Sequence, residues 1–112
     1  MNDIKESSLK LVSIIIPTKN SIKTMSICLK SIINQTYPEI EIIVADSDSK
    51  DGTSELCEKH GARVYNRSAE SERTEKKNFA AKKAKGDFVY FVDSDFQLTP
   101  RVVERCIKKC DK

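Results

Sequence analysis

The 112-residue chain has no tryptophan, three glycines and three prolines. That scarcity of Gly and Pro excludes a collagen-like, linker or low-complexity composition. Neither Gly-x-Gly-x-x-Gly nor Gly-x-x-x-x-Gly-Lys occurs, so the backbone cradles of dinucleotide-binding folds and P-loop proteins are missing. No apolar run approaches the roughly 20 residues that cross a bilayer, and the polar stretch Met1 to Lys10, with Asp3, Lys5 and Glu6, lacks the apolar core of a signal peptide. A cytosolic protein is expected. Cys-x-x-Cys pairs are absent as well. Cys28, Cys57, Cys106 and Cys110 lie in apolar or helical settings, which predicts reduced thiols acting as small buried apolar residues. A zinc site built from Cys106, Cys110 and His60 is the sharper alternative, but zinc sites usually show tighter ligand pairs.

What is present is the balance of one ordered domain: 38% apolar and 33% charged residues. A chain of this length buries about two thirds of its unfolded surface in a single core. The formal charge of +3 is unevenly placed. Lys76, Lys77, Lys82, Lys83 and Lys85 crowd one segment, interleaved with Glu70, Glu72 and Glu75, and read as a solvated helix face. With one aromatic among them, nucleic-acid binding is not expected; attraction to a membrane surface, that is peripheral association, is expected only if the chain acts on a lipid phosphate.

Strands and helices alternate. Leu11 to Ile16, stopped by Pro17, reads as a strand buried on both faces. Ile22, Met25, Leu29, Ile32 and Ile33 recur at helical steps between Ser21 and Gln35; Ile40 to Ala45 is a second strand. Asp51-Gly52-Thr53 opens a short helix with Leu56 and Cys57 inward, and Gly61 supplies its left-handed stop. Ala62 to Tyr65 is a third strand. Glu70 to Lys85 is a helix closed by Gly86, with Phe79, Ala80 and Ala84 inward. Phe88 to Val92 is a buried fourth strand. Thr99-Pro100 starts a last helix with Val102, Val103, Cys106, Ile107 and Cys110 inward.

This alternation implies a mainly parallel sheet whose ligands bind outside the strands' carboxyl ends. All four tips are polar: Pro17-Thr18-Lys19-Asn20, Asp46-Ser47-Asp48-Ser49, Asn66-Arg67-Ser68 and Asp93-Ser94-Asp95. Carboxylates gathered on one rim repel each other and any phosphate unless a hard cation, Mg2+ or Mn2+, sits among them. Asp46, Asp93 and Asp95 are therefore expected to converge on one crevice beside a metal-bridged phosphate. An isolated Asp-x-Asp is more often a turn or cap than a ligand set; its place after a strand and opposite a second acidic tip favours the metal.

These residues resemble the family 2 glycosyltransferases, with Asp93-Ser94-Asp95 where that family has its Asp-x-Asp motif. The likeness continues through Val12 to Asn20, Ser31 to Pro38, Asp46 to Thr53, and Glu72-Arg73-Thr74 with Lys77-Asn78, in the family's order from about Leu11 onward. It implies a three-layer α/β/α fold around a mainly parallel sheet, GT-A and Rossmann-like, here truncated: a polar extension 1–10 followed by a nucleotide-sugar-binding portion, 11–112. It further implies that Pro17, Thr18 and Asn20 line the nucleoside pocket, that Asp46 contacts the base, and that Arg73, Lys77 and Asn78 flank ribose or diphosphate. Asp93, Ser94 and Asp95 would then meet the donor, with Asp93 and Asp95 as metal ligands and Asp95 the more direct. Asp46 favours a UDP-sugar, because its carboxylate accepts from the uracil imide N–H; guanine also offers a ring N–H, so GDP-sugars stay open.

Ser47 and Ala80 depart from the family, where many members carry a second acid and a Gly. The catalytic base and the acceptor motifs follow the Asp-x-Asp region in that family and are not found by Lys112, so the expectation is a donor-binding portion that does not transfer sugar alone. Its acceptor, glycan or lipid, is not readable. The rival readings are a nucleotidyltransferase, which also joins aspartates, a metal and a nucleotide, and a non-catalytic nucleotide-binding or degenerate module.

Overall fold

A computed structural model describes residues 9–110; the polar extension 1–10 lies outside the described residues except for Leu9 and Lys10. Eight elements alternate: β1 Val12–Thr18, α1 Ile22–Ile33, β2 Ile40–Ser47, α2 Thr53–Lys59, β3 Arg63–Arg67, α3 Arg73–Lys83, β4 Phe88–Phe91 and α4 Val102–Cys110. All strand pairs are parallel, in the order β3-β2-β1-β4. The expected α/β architecture is therefore present.

The apolar run of β1 places Ile14, Ile15 and Ile16 at 0% exposure, and burying each such side chain contributes about 1.5–3 kcal/mol. Alternation along the strand splits them between two layers. Ile14 and Ile16, with Val44, pack against Met25, Leu29, Ile32 and Cys57 of α1 and α2. Ile15, with Ile43 and Ala45, packs against Ala80 of α3 on the other face. Pro17 does not stop β1 as expected; the strand runs to Thr18. Ile15 O accepts from Val92 N on the β4 side, so Pro17, two residues on, turns its ring nitrogen to that same side, beyond the last β1–β4 register pair, Ile15 with Phe91. The missing donor therefore costs no ladder bond.

Two expectations about burial need correction. Among the described residues β4 is an edge strand, not a buried one: α3 covers β1 and β2, and Val89 and Phe91 remain 42% exposed. In α4 only Val103 and Ile107 are buried, and Cys106 and Cys110 are exposed. His60 closes α2 with its Nδ1 2.9 Å from Leu56 O, and no group of three His, Cys, Asp or Glu among the described residues could hold a metal ion, so the zinc reading falls. Gly61 has the expected left-handed backbone, φ 89°. Gly86 does not; it is there because it presses against β1, where a Cβ would meet Leu11 O and Ser13 N at 2.8 Å.

Candidate functional site

Parallel pairing brings the carboxyl ends of all four strands to one rim, and hydroxyl side chains tie their loops together. Thr18 Oγ1 donates to Ser21 Oγ at 2.7 Å, and Ser21 Oγ lies 3.0 Å from Ser94 Oγ, joining the β1 tip to the loop after β4. Asn20 adopts φ 48°, a region Asn tolerates. That turn lets its N–H donate to Ser49 Oγ at 2.7 Å and its Oδ1 accept from Lys50 N at 2.8 Å, joining the β1 and β2 tips. Asp51 anchors two helices at once. Its carboxylate accepts Ile22 N at 3.1 Å at the start of α1, and Thr53 N at 3.1 Å with Thr53 Oγ1 at the start of α2. Those bonds, the Thr53 hydroxyl first, hold its pKa below the usual carboxylate value despite the opposing cost of desolvation.

Between these loops lies an open cleft of about 680 Å3, lined by Asn20, Ser21, the first turn of α1, Asp51, Arg73 and Asp93-Ser94-Asp95. Its electrostatics are mixed. The first turn of α1 has no acid of its own and carries Lys23, so Lys23 and the Arg73 guanidinium bring positive charge to the cleft, while the Asp51 carboxylate already offsets the helix end at Ile22 N. Against them stand the aspartates. Asp93 Oδ1 is ion-paired with Arg73 Nη2, whereas the Asp95 carboxylate has no hydrogen bond or ion pair with any described residue. One open and one shared carboxylate, with no third acid grouped with them, suit Mg2+ or Mn2+, which use one or two carboxylates and take their remaining ligands from phosphates and water. The donor set fits such a cation.

Asp46 does not share this cleft. It is wholly buried and accepts Ser54 Oγ at 2.7 Å, Ser49 N at 3.4 Å and the Ser49 hydroxyl. β1 lies between β2 and β4, which puts their tips two strand spacings, about 10 Å, apart. The expected single crevice is thus two neighbouring polar sites, joined through Asn20 and Ser49. Pro17 and Thr18 are covered within β1 and do not line the cleft.

From α3 the structure brings in Arg73 but not the whole expected set. Lys77 is half-buried against β4, its Nζ 5.2 Å from the Phe91 ring centroid. Asn78 is exposed, and five residues past Arg73 it lies about 140° around the helix, away from the cleft. The residue not singled out in the sequence is Lys76. Grouped there with the solvated lysines, it is only 7% exposed and donates to Thr18 O at 3.0 Å. Burial pushes its pKa down, and the nearby Asp46 charge opposes that shift. The signal was its spacing, three residues after Arg73 and four before Ala80, on the sheet-facing stripe. Asp51, Ser21 and Lys23 were likewise missed as cleft residues. Beneath the rim, burial first and Asp95 second push the Cys28 thiol up to about 11, and burial first and Asp46 second push Cys57 up to about 12.

Residues 13–112 match the family model described as glycosyl transferase family 2. Glycosyltransferase GlyG of Streptococcus pneumoniae is 31% identical over 100 residues, which cover 85% of this chain and 33% of that protein. The crystal structure of S. aureus TarS 1–349 in complex with UDP-GlcNAc superimposes with a TM-score of 0.78 at 31% identity, covering 90% of this chain and 31% of that one. Glucosyl-3-phosphoglycerate synthase from Mycobacterium tuberculosis, solved with Mn2+, UDP and glucosyl-3-phosphoglycerate, gives a TM-score of 0.70 at 26% identity, covering 85% of this chain and 37% of that one. The chain thus spans about a third of the length of each.

Proposed function

The chain belongs to glycosyl transferase family 2, and from that membership we propose that it forms the donor-binding half of a transferase that moves a sugar from a UDP-sugar to an acceptor hydroxyl. The observation that carries the reading is the open Asp95 carboxylate beside the Arg73–Asp93 pair, in a cleft at the carboxyl ends of a parallel sheet. Asp93 and Asp95 would hold a divalent cation, which when bound supplies positive charge to balance the diphosphate leaving group. Arg73 and Lys23 orient the phosphates from the protein side. Relatives of known structure carry UDP-GlcNAc in one case, and Mn2+ with UDP in another, which supports uridine as the base.

Asp46 keeps its role as acceptor for the uracil imide under one condition that its burial imposes. Asp46 is covered, with Ser49 and Ser54 bonded to its oxygens, so Ser49 or Ser54 must turn away to uncover it before a base N–H reaches it. A carboxylate has about four acceptor positions, and the exchange of one hydroxyl for one imide N–H is close to balanced.

The test is calorimetry of the 112-residue chain with UDP, with Mn2+ and again with EDTA in its place. Binding is expected with Mn2+ and strong loss with EDTA. UDP bound equally well in both, or in neither, would contradict a metal-linked donor site.

A further inference from the structure

Asp93 and Asp95 stand two residues apart on one loop, yet they face the cleft in different states. Asp93 is neutralised by Arg73, and Asp95 has no partner among the described residues. Arg73 is the first residue of α3, so the helix fixes its backbone while its side chain, 52% exposed, keeps rotamer freedom. A guanidinium presents a planar fork of donors that fits a carboxylate and a phosphate equally well. The group that holds Asp93 is therefore also the group that a diphosphate in this cleft would draw away.

We propose that Arg73 is an exchangeable counter-ion: it neutralises Asp93 as long as no divalent cation does so, and moves to the donor's diphosphate once the cation has taken its place. This rests on the donor-site reading above. It makes the two ligands depend on each other. A cation arriving alone has to displace Arg73, which is then stranded beside a dication. A diphosphate arriving alone pulls Arg73 off Asp93 and meets two bare carboxylates. Only with both present is every charge matched, so each ligand raises the affinity of the other by the same factor.

The test compares the parent chain with Arg73→Gln and Arg73→Lys. Mn2+ binding without nucleotide is read from the electron paramagnetic resonance signal of the free ion, and UDP binding at saturating Mn2+ is read by calorimetry. Solvent screens a half-exposed pair, so Arg73→Gln is expected to tighten Mn2+ binding by roughly threefold to fivefold and to weaken UDP binding by roughly tenfold. Arg73→Lys keeps the charge and should stay within about twofold of the parent for Mn2+. A gain in metal affinity with the unfolding midpoint unchanged separates this role from a structural one. If the parent shows Mn2+-linked UDP binding but Arg73→Gln binds Mn2+ no better than the parent, the counter-ion role is wrong and the donor site stands. If the parent shows no Mn2+-linked UDP binding, both fall.

Discussion

Gly86→Ala offers a direct measure of how tightly the strand bearing the Asp-x-Asp loop is pressed against the centre of the sheet. A Cβ at this position would lie 2.5 Å from Ser13 Oγ and 2.8 Å from both Leu11 O and Ser13 N. Rotating Ser13 could relieve the first contact, but that hydroxyl accepts from Gly86 N at 2.9 Å and donates to Glu41 Oε2, so rotation gives up two hydrogen bonds. The two backbone contacts have no such escape. The 84–87 segment must back away from β1, weakening Asp87 N to Leu11 O, at 2.7 Å, and Leu11 N to Asp87 Oδ2, at 3.0 Å. Overpacking costs about 1–3 kcal/mol, and each hydrogen bond lost adds about 1 kcal/mol. Against this stands the usual gain of about 0.4–1 kcal/mol from stiffening the unfolded chain. The costs win, and the net expectation is a destabilisation of about 2–4 kcal/mol by urea unfolding, a large part of the 5–15 kcal/mol typical of a domain. Gly61→Ala is the control: nothing lies within 4 Å there, and only the left-handed backbone is penalised, by about 1–2 kcal/mol. A Gly86→Ala chain within about 0.5 kcal/mol of the parent, or more stable than it, would refute the close-approach account.

Asp95→Asn, which removes the open carboxylate, is expected to weaken UDP binding in Mn2+ by roughly 10–100-fold or more with the unfolding midpoint unchanged; calorimetry with thermal melts checks both. Asp51 has its pKa lowered in the folded state, so its contribution to stability is complete above the unfolded value, about 3.9, and is lost as the pH falls through the depressed folded one. Asp51→Asn should therefore flatten the acid limb of the stability-versus-pH curve, and an unchanged limb would remove Asp51 as the cap of α1 and α2. Iodoacetamide at neutral pH should label Cys106 and Cys110, which are exposed, and spare Cys28 and Cys57, whose burial holds them as thiols with pKa values of about 11 and 12. Mass spectrometry should count two adducts on the native chain and four in denaturant.

Local chemistry made much of this legible. Periodicity marked α1 through Met25, Leu29 and Ile32, and the β-branched run marked β1, because both signals depend only on neighbours along the chain. Gly61 at a helix end told of its positive φ for the same reason. The polar strand tips pointed to a metal-bridged phosphate, and the ordered motifs, through their resemblance to the family, to a nucleotide-sugar donor.

Other features were set by pairs of residues far apart in sequence. Strand order made β4 an edge among the described residues and separated Asp46 from Asp93 and Asp95, since β1 had to run between them. Helix placement exposed Cys106 and Cys110 and buried Lys76. The Arg73–Asp93 pair joins residues 20 apart, and Gly86 answers to the backbone of β1 rather than to its own helix. The amino-acid sequence by itself determined which segments are helix and strand and which chemistry sits at their ends, because propensity and patterning are local. Which of those groups meet, and which are covered, was decided only by tertiary packing, because that depends on the order in which strands pair across the sheet.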